Sequence, residues 1–569
     1  NNEIIIKKDK GRVNNLNNLD GINELNSNLG IAHTRWATHG KPSKENAHPH
    51  VDNTNTFSVV HNGIIENYKE LKENLENNGY TFYSETDTEV VPNLISFYYK
   101  KENNFIKAVS LACMELKGSY ALEIICKDYP NTLIVTRKDS PLVIGTSEND
   151  TYISSDIPAL ISFTNKFYFL NDTEIALITN EEIRFYDSNL NTIFKQSTSV
   201  ELSADSADKG DFEDYMLKEI YEQPKAIRET IGTCLNSSKI YFEELNLSKD
   251  YLKTINQIYI VACGTAMHAG LAVKSNFEKL CNIPVTVDIA SEFRYRDPII
   301  NEKTLCIYIS QSGETADTIA ALKLAKSKGA KTIAVTNVIE SSITREADYY
   351  IYTHAGPEIA VASTKAYTSQ VVLLNIMVLY FAEILESIPQ NQIDDLKKEL
   401  LKLSEKIDIV LKDITKIKDI AKQIYHKPDI FFLGRGIDYT VALEGSLKLK
   451  EISYIHSEGY ASGELKHGPI ALIEKDVPVI SIVTDSALMD KTVSNIQEVI
   501  TRGAKSVVVT NQNLNNTNFD YLINIPEVSA LYSPVISIIP LQLLSYYVAK
   551  EKGLDVDKPR NLAKSVTVE

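Results

Sequence analysis

Three hydroxyls, an amide and a glycine crowd the hexapeptide Ser310-Gln-Ser-Gly-Glu-Thr315. Before it, Thr304-Leu-Cys-Ile-Tyr-Ile309 is a run of β-formers; after it, the apolar spacing of Ala316–Ala330 predicts a helix. A strand, a polar loop and a helix N-terminus together make an anion site, because the first helical N–H groups lack internal partners and the helix dipole favours negative charge. Ser310, Ser312 and Thr315 add hydroxyl donors, and Gly313 allows close backbone approach. With no Walker lysine and no GxGxxG, a small phosphate ester suits this loop better than a nucleotide. An ordinary N-cap with spare serines is the plainer alternative.

Acid–base candidates lie further along. Glu444-Gly-Ser-Leu-Lys-Leu-Lys-Glu451 reads as a helix with Lys448 and Glu451 on one face, which would also suit a surface ion pair. In Gly463-Glu-Leu-Lys-His-Gly-Pro469, His467 sits on a turn, where a histidine can serve as acid or base. The terminal Lys558-Pro-Arg-Asn-Leu-Ala-Lys-Ser-Val-Thr-Val-Glu569 carries apolar alternation unusual in a free tail, and reads as a docked loop bringing Lys564 to a site.

A second polar constellation occupies the N-terminal part: His33-Thr-Arg-Trp-Ala-Thr-His-Gly40, His61-Asn-Gly-Ile-Ile-Glu-Asn67 and Ser84-Glu-Thr-Asp-Thr-Glu89. Arg35 can grip a carboxylate in a bidentate fork and Asp87 an ammonium, a pair suited to a free amino acid. Asn62-Gly63, expected to follow a strand, offers a side-chain amide beside a backbone N–H, as an oxyanion hole requires. A type I′ hairpin turn is the competing reading. Trp36 is the only tryptophan, either a lid or a core aromatic.

These residues need elements to hold them. Ile258-Tyr-Ile-Val-Ala-Cys-Gly-Thr265 resembles Ile430-Phe-Phe-Leu-Gly-Arg-Gly-Ile437, and Gly329-Ala-Lys-Thr-Ile-Ala-Val-Thr-Asn337 resembles Gly503-Ala-Lys-Ser-Val-Val-Val-Thr-Asn511. Two matches at nearly one offset predict a duplicated α/β unit with doubly wound parallel sheets. The second copy has Thr484-Asp-Ser-Ala-Leu-Met489 in place of Ser310–Thr315, so one phosphate site per chain is expected. The first ~200 residues read as α+β with antiparallel strands (Thr56–Val60, Tyr120–Cys126, Leu133–Thr136) and helices near Glu66–Asn78 and Glu89–Lys101. Glu201–Gly210 is a linker by composition, followed by an amphipathic helix over Phe212–Gly232.

The 569-residue chain has a formal charge of −16 and no basic blocks, which argues against nucleic acid and membrane surfaces as partners. Six scattered cysteines without CxxC pairs fit a cytoplasmic location and give no metal site. The longest apolar run, Val371–Ala382, reads as a core helix too short to span a bilayer.

The three N-terminal segments resemble the glutaminase domain of the class II, N-terminal-nucleophile amidotransferases. Together with the Ser310–Thr315 loop and the C-terminal motifs, the stretch from about Gly30 to Glu569 resembles the isomerizing glutamine:fructose-6-phosphate aminotransferases. That resemblance implies an αββα glutaminase domain lacking its first strand over 1–200 and a connector over 201–255. Two sugar-isomerase (SIS) domains would follow over 256–395 and 396–548, with an active-site tail over 549–569. It implies glutamine binding by Arg35, Thr38, His39 and Asp87, an oxyanion hole from Asn62 and Gly63, and Trp36 gating an ammonia channel. It assigns ring opening to His467, an imine with fructose 6-phosphate to Lys564, proton transfer to Glu451 and assistance to Lys448. Ser310, Gln311, Ser312 and Thr315 would hold the phosphate, and Thr265, Val361 and Ser363 would line the sugar. No cofactor or metal is needed, since lysine itself forms the imine. A homodimer is implied, with His467 contributed across subunits.

Two departures from the pattern stand out. Ala266 occupies a position where serine is common, at a cost of ~1 kcal/mol in binding. The family's nucleophile is a cysteine at the start of the mature chain, whereas this sequence begins at Asn1 and its first cysteine is Cys113, inside an expected helix. The expectation is therefore that an N-terminal segment is absent and that this polypeptide as it stands does not hydrolyse glutamine, leaving ammonia as nitrogen donor. Two other readings are a sugar-phosphate isomerase and a sugar-phosphate-sensing binding protein.

Overall fold

A computed structural model of the chain describes residues 3–17, 19, 21–22, 25–36, 38–200, 209–236, 239–245, 247–514 and 518–567. Most of the linker expected at Glu201–Gly210 lies outside them. Two compact units result, one formed by Asn1–Ala204 with Val566–Glu569, the other by Asp205–Ser565.

In the first unit, seven antiparallel strands form one sheet, in the order His50–Val51, Phe57–Ile65, Gly118–Cys126, Thr132–Lys138, Ile175–Thr179, Ile183–Tyr186 and Thr192–Ile193. Alternation along these strands sends two apolar sets to opposite faces. Phe57, Val59, Leu122 and Ile124 pack with the helices Val90–Glu102 and Phe105–Glu115. Ala121, Leu133, Val135 and Ala176 pack with Leu142, Ile144 and Leu170 of the four-stranded sheet region. Asn62-Gly63 does not follow a strand or form a hairpin turn. Both residues lie inside the nine-residue strand Phe57–Ile65, paired with Ala121 and Tyr120. Gly63 has φ 139°, and an added Cβ would meet Ser119 O at 2.2 Å, so only glycine fits there.

The second unit contains two five-stranded parallel sheets of one topology. The first runs Val285–Ile289, Gln257–Ala262, Thr304–Ser310, Lys331–Thr336, Tyr349–Tyr352; the second runs His456–Ala461, Asp429–Gly434, Pro478–Val483, Lys505–Thr510, Tyr521–Asn524. In each the first strand in sequence lies second in space. That is the doubly wound order, whose crevice opens at the carboxyl ends of the strands. The duplication extends to single bonds: Asn337 Nδ2 donates to Gly356 O at 2.8 Å, and Asn511 Nδ2 to Val528 O at 3.1 Å.

The helix expected to start at Ala316 and stop at Lys328-Gly329 runs Ala316–Ser327, with Lys328 as its C-cap. The one expected over Phe212–Gly232 runs Tyr215–Cys234 and tolerates Pro224. The run Val371–Ala382 belongs to a longer helix, Lys365–Leu385, whose 21 residues are long and apolar enough to cross a membrane. Length alone therefore does not exclude a span, but the helix is a core element: 78% of its apolar window is buried.

Candidate active site

Ser310 ends a fully buried strand, and its Oγ accepts the N–H of Gly313 at 3.0 Å and lies 2.9 Å from Thr315 Oγ1. Ser312 Oγ accepts the N–H of Glu314 at 3.2 Å. Gly313 has φ +69°, and a Cβ there would strike Ser341 Oγ at 2.1 Å, so the loop cannot curl this tightly with another residue. Gln311 contributes its carbonyl, which accepts the Asn337 N–H at 3.1 Å, locking the loop to the neighbouring strand end.

The C-terminal tail reaches this loop. Ser312 Oγ and Ser565 Oγ are 3.0 Å apart. Next to Ser565, Lys564 Nζ donates to Glu358 Oε2 at 2.6 Å and to Ala360 O at 2.8 Å. Glu358 is buried, and its other oxygen accepts the N–H groups of Thr364 and Ala366 at the start of the long core helix. Burial opposes its ionisation, but the Lys564 ammonium and those N–H groups outweigh it and hold the carboxyl below its ordinary range. Val361 N–H is taken by Asp557 O at 3.0 Å, so tail and loop are stitched twice; Ser363 lies two residues on, half-buried.

A second set of charges lines the helix Ile437–Ser453. Lys448 is not a surface residue: it is 1% exposed, with Nζ 2.5 Å from Glu451 Oε2 and 3.6 Å from Glu444 Oε1. Glu444 in turn accepts Thr265 Oγ1–H at 3.1 Å and pairs with His268 Nδ1 at 2.7 Å. Burial would strip Lys448 of its proton, yet Glu451, Glu444 and the nearby Glu358 together push its pKa up. Glu358 thus couples electrostatically to both Lys448 and Lys564. His467 ends a short 3-10 turn, Glu464–His467; it is exposed and makes no hydrogen bond or ion pair with this cluster among the described residues.

The duplicated crevice is chemically different. Asp438 places its carboxylate where the second copy's loop would receive an anion, accepting the Thr484 N–H at 2.8 Å, the Asp485 N–H at 3.4 Å and the Thr484 hydroxyl. Burial pushes this carboxyl up to about 6. An internal carboxylate thus occupies donors of the second copy's loop, which the first copy's Ser310–Thr315 loop does not share.

In the first unit, Asp87 is buried, accepts the Ile65 N–H at 2.8 Å and lies 3.9 Å from His39 Nδ1. Arg35 donates to the carbonyls of His39 and Gly40; burial lowers its pKa while the charge of Asp87 opposes that. Thr38 Oγ1 lies 3.4 Å from His39 Nδ1, and Trp36 is 43% exposed, which rules out a core position. Asn62 Nδ2 donates to Thr567 Oγ1 at 3.1 Å. Cys113 packs within the helix Phe105–Glu115, and burial pushes its thiol up to about 12, which disqualifies it as a nucleophile.

A glutamine amidotransferase domain model matches residues 33–162, and a SIS domain model matches twice, over 251–380 and 423–551. The glutamine–fructose-6-phosphate aminotransferase (isomerizing) of Clostridium perfringens is 53% identical over 573 residues, covering 100% of this chain and 94% of that relative. The same-named protein of Clostridium tetani is 53% identical over 99% of this chain and 93% of its own length. The chain belongs to the glutamine–fructose-6-phosphate aminotransferase family. Among solved structures, the C-terminal domain of the glucosamine-fructose-6-phosphate aminotransferase from Francisella tularensis matches with TM-score 0.60 and 43% identity, covering 62% of this chain and all of that one.

For this aminotransferase, sequence reasoning missed Glu358, Glu444 and His268. Glu444 was within reach, since it stands one turn before Lys448 and two before Glu451 on one helix face. Glu358 gave no periodic signal, because its loop acts through the fold. Also missed was the clustering of four histidines in the first unit, the half-buried His33 with the buried His48, His50 and His61. His33 stacks on His48 at 4.3 Å, His48 meets His50 at 5.0 Å, and the His61 N–H donates to His48 Nδ1 at 3.2 Å.

Proposed function

We propose that this aminotransferase converts fructose 6-phosphate to glucosamine 6-phosphate with nitrogen from glutamine or ammonia. The observation that carries the reading is the Lys564 amine, held between Glu358 and Ala360 while its neighbour Ser565 touches the anion loop. Ser310, Gln311, Ser312 and Thr315 bind the phosphate, leaving Thr265, Val361 and Ser363 along the sugar. Lys564 attacks the C2 carbonyl of the open ketose; a C–N bond forms and water leaves, giving an imine. Ammonia displaces the lysine, and Glu451 then takes a proton from C1 and returns it to C2, which yields the 2-amino aldose. Lys448, 2.5 Å away, holds Glu451 in place for these transfers.

The exposure of His467 suits a residue that serves a second protomer. Ring opening therefore falls to His467 of the partner subunit in a homodimer. Arg35, Thr38, His39 and Asp87 bind glutamine, with Asn62 and Gly63 as the oxyanion hole and Trp36 over the exit for ammonia. The working division is 1–200 for nitrogen release, 201–255 as connector, 256–395 and 396–548 for the sugar, and 549–569 as the tail. Six free thiols, none exposed, suit a reducing cytoplasm.

Incubation with fructose 6-phosphate and either glutamine or 15N-ammonium, followed by mass analysis of the product, tests the reading. Labelled glucosamine 6-phosphate supports it. Glucose 6-phosphate without nitrogen would support a plain isomerase instead.

A further inference from the structure

Helix Tyr215–Cys234 brings Glu219 against the Ile359–Ala360 backbone, beside the groups that hold Lys564. Glu219 is 1% exposed, and its Oε1 accepts two consecutive backbone N–H groups, of Ile359 and of Ala360 at 3.1 Å. Those residues adjoin the two acceptors of the lysine: Glu358 Oε2 on one side and the Ala360 carbonyl itself on the other. The second oxygen, Oε2, is buried with no partner among the described residues. No stage of the chemistry described above uses this carboxyl. A glutamic acid buried only for packing would be expensive, and two N–H groups alone could be met by an amide or by water.

We infer that Glu219 is a positioning residue for Lys564, clamping the Glu358–Ala360 turn and adjusting how readily the lysine gives up its proton. The inference rests on the imine reading of Lys564. Glu219 acts without touching substrate. Held as the neutral acid, with its proton on the orphan Oε2, it leaves Glu358 as the lysine's only full counter-charge. Ionised, it adds a second negative charge and makes the ammonium harder to deprotonate. Burial, with the charge of Glu358 next, pushes its pKa up to about 8, and Lys564 and the two N–H groups oppose that rise. The two charges that act on it, Glu358 and Lys564, are themselves paired at 2.6 Å.

The test follows the imine by trapping it with borohydride, which adds hydride to C2 and fixes the sugar phosphate on the lysine; no nitrogen donor is needed. Rates of trapping with fructose 6-phosphate are compared from pH 6.5 to 9.5 in the full chain, Glu219→Gln and Glu219→Ala, with Lys564→Ala as blank. Glu219→Gln keeps an oxygen acceptor for the clamp but cannot ionise. It should match the parent at pH 7 and exceed it at least about threefold at pH 9. Glu219→Ala should lose about tenfold in trapping rate at every pH, with KM for fructose 6-phosphate changed less than about twofold. Should Glu219→Ala fail to fold, the pH profile of Glu219→Gln decides alone. Superimposable profiles for Glu219→Gln and parent would overturn the inference, as would Glu219→Ala trapping at the parental rate. Absence of any adduct in the parent would instead remove the imine reading, and this inference with it.

Discussion

Ser312 Oγ and Ser565 Oγ lie 3.0 Å apart, one on the anion loop and the other beside Lys564 in the C-terminal tail. The hydroxyl pair ties the loop proposed to grip the phosphate to the position of the lysine. Ser565→Ala removes one hydrogen bond, at ~1 kcal/mol. It should raise KM for fructose 6-phosphate about fivefold. The double variant Ser312→Ala/Ser565→Ala should cost less than the sum of the two singles, because each deletes the shared bond. Strict additivity in steady-state kinetics would show that the contact carries no energy.

Lys564→Arg separates charge from nucleophilicity. The guanidinium still pairs with Glu358 but forms no imine with a ketose. Aminosugar formation should fall at least about a thousandfold, while calorimetry should show binding of fructose 6-phosphate within about threefold of the parent. Appreciable turnover by this variant would refute the imine assignment.

Lys448→Met leaves the buried Glu444 and the half-buried Glu451 as neighbouring carboxyls without their cation. Breaking such a group by removing one partner costs about 3–5 kcal/mol, so thermal unfolding of the second unit should shift down by several degrees. The folded pKa of Lys448 is raised, so its contribution is complete at neutral pH and is lost only as pH climbs past the ordinary lysine range. The difference between parent and variant should therefore be flat from pH 6 to 9. A gap that changes strongly across that window would contradict the charge assignment.

The histidine cluster makes the first unit acid-sensitive. Burial lowers His33 to about 4 and His50 to about 3, and lowers His48 and His61 as well. In the unfolded chain these groups protonate near their ordinary value, so the unfolded state binds more protons below about pH 6.5. Stability is complete above that pH and drains away as pH falls toward 4. The unfolding transition of the glutaminase half, followed by the fluorescence of its lone Trp36, should move down steadily between pH 6.5 and 4.5. His50→Gln should reduce that slope.

Much of this was legible in the residues. The duplicated β-strand–glycine turns fixed the doubly wound halves, because parallel strands buried on both faces read as unbroken apolar runs. The anion loop was visible because hydroxyls, glycine and a helix start fall together in six residues. Asn62-Gly63 misled because the dipeptide has a strong turn preference, which pairing with Ala121 and Tyr120 across the sheet overrides. Lys448 looked like a surface lysine because helical spacing reports which residues share a face and not whether that face is covered. Glu358, Glu219 and Asp438 act through loops that only tertiary folding brings together, so no spacing rule could find them.

The most direct measurement is to trap the complex of the full chain and fructose 6-phosphate with borohydride and map the modified peptide by mass spectrometry. The sugar phosphate should be found on Lys564, in the tail peptide, and competing inorganic phosphate should slow its appearance. An adduct on Lys448 or another lysine, or none at any pH between 6.5 and 9.5, would contradict the account.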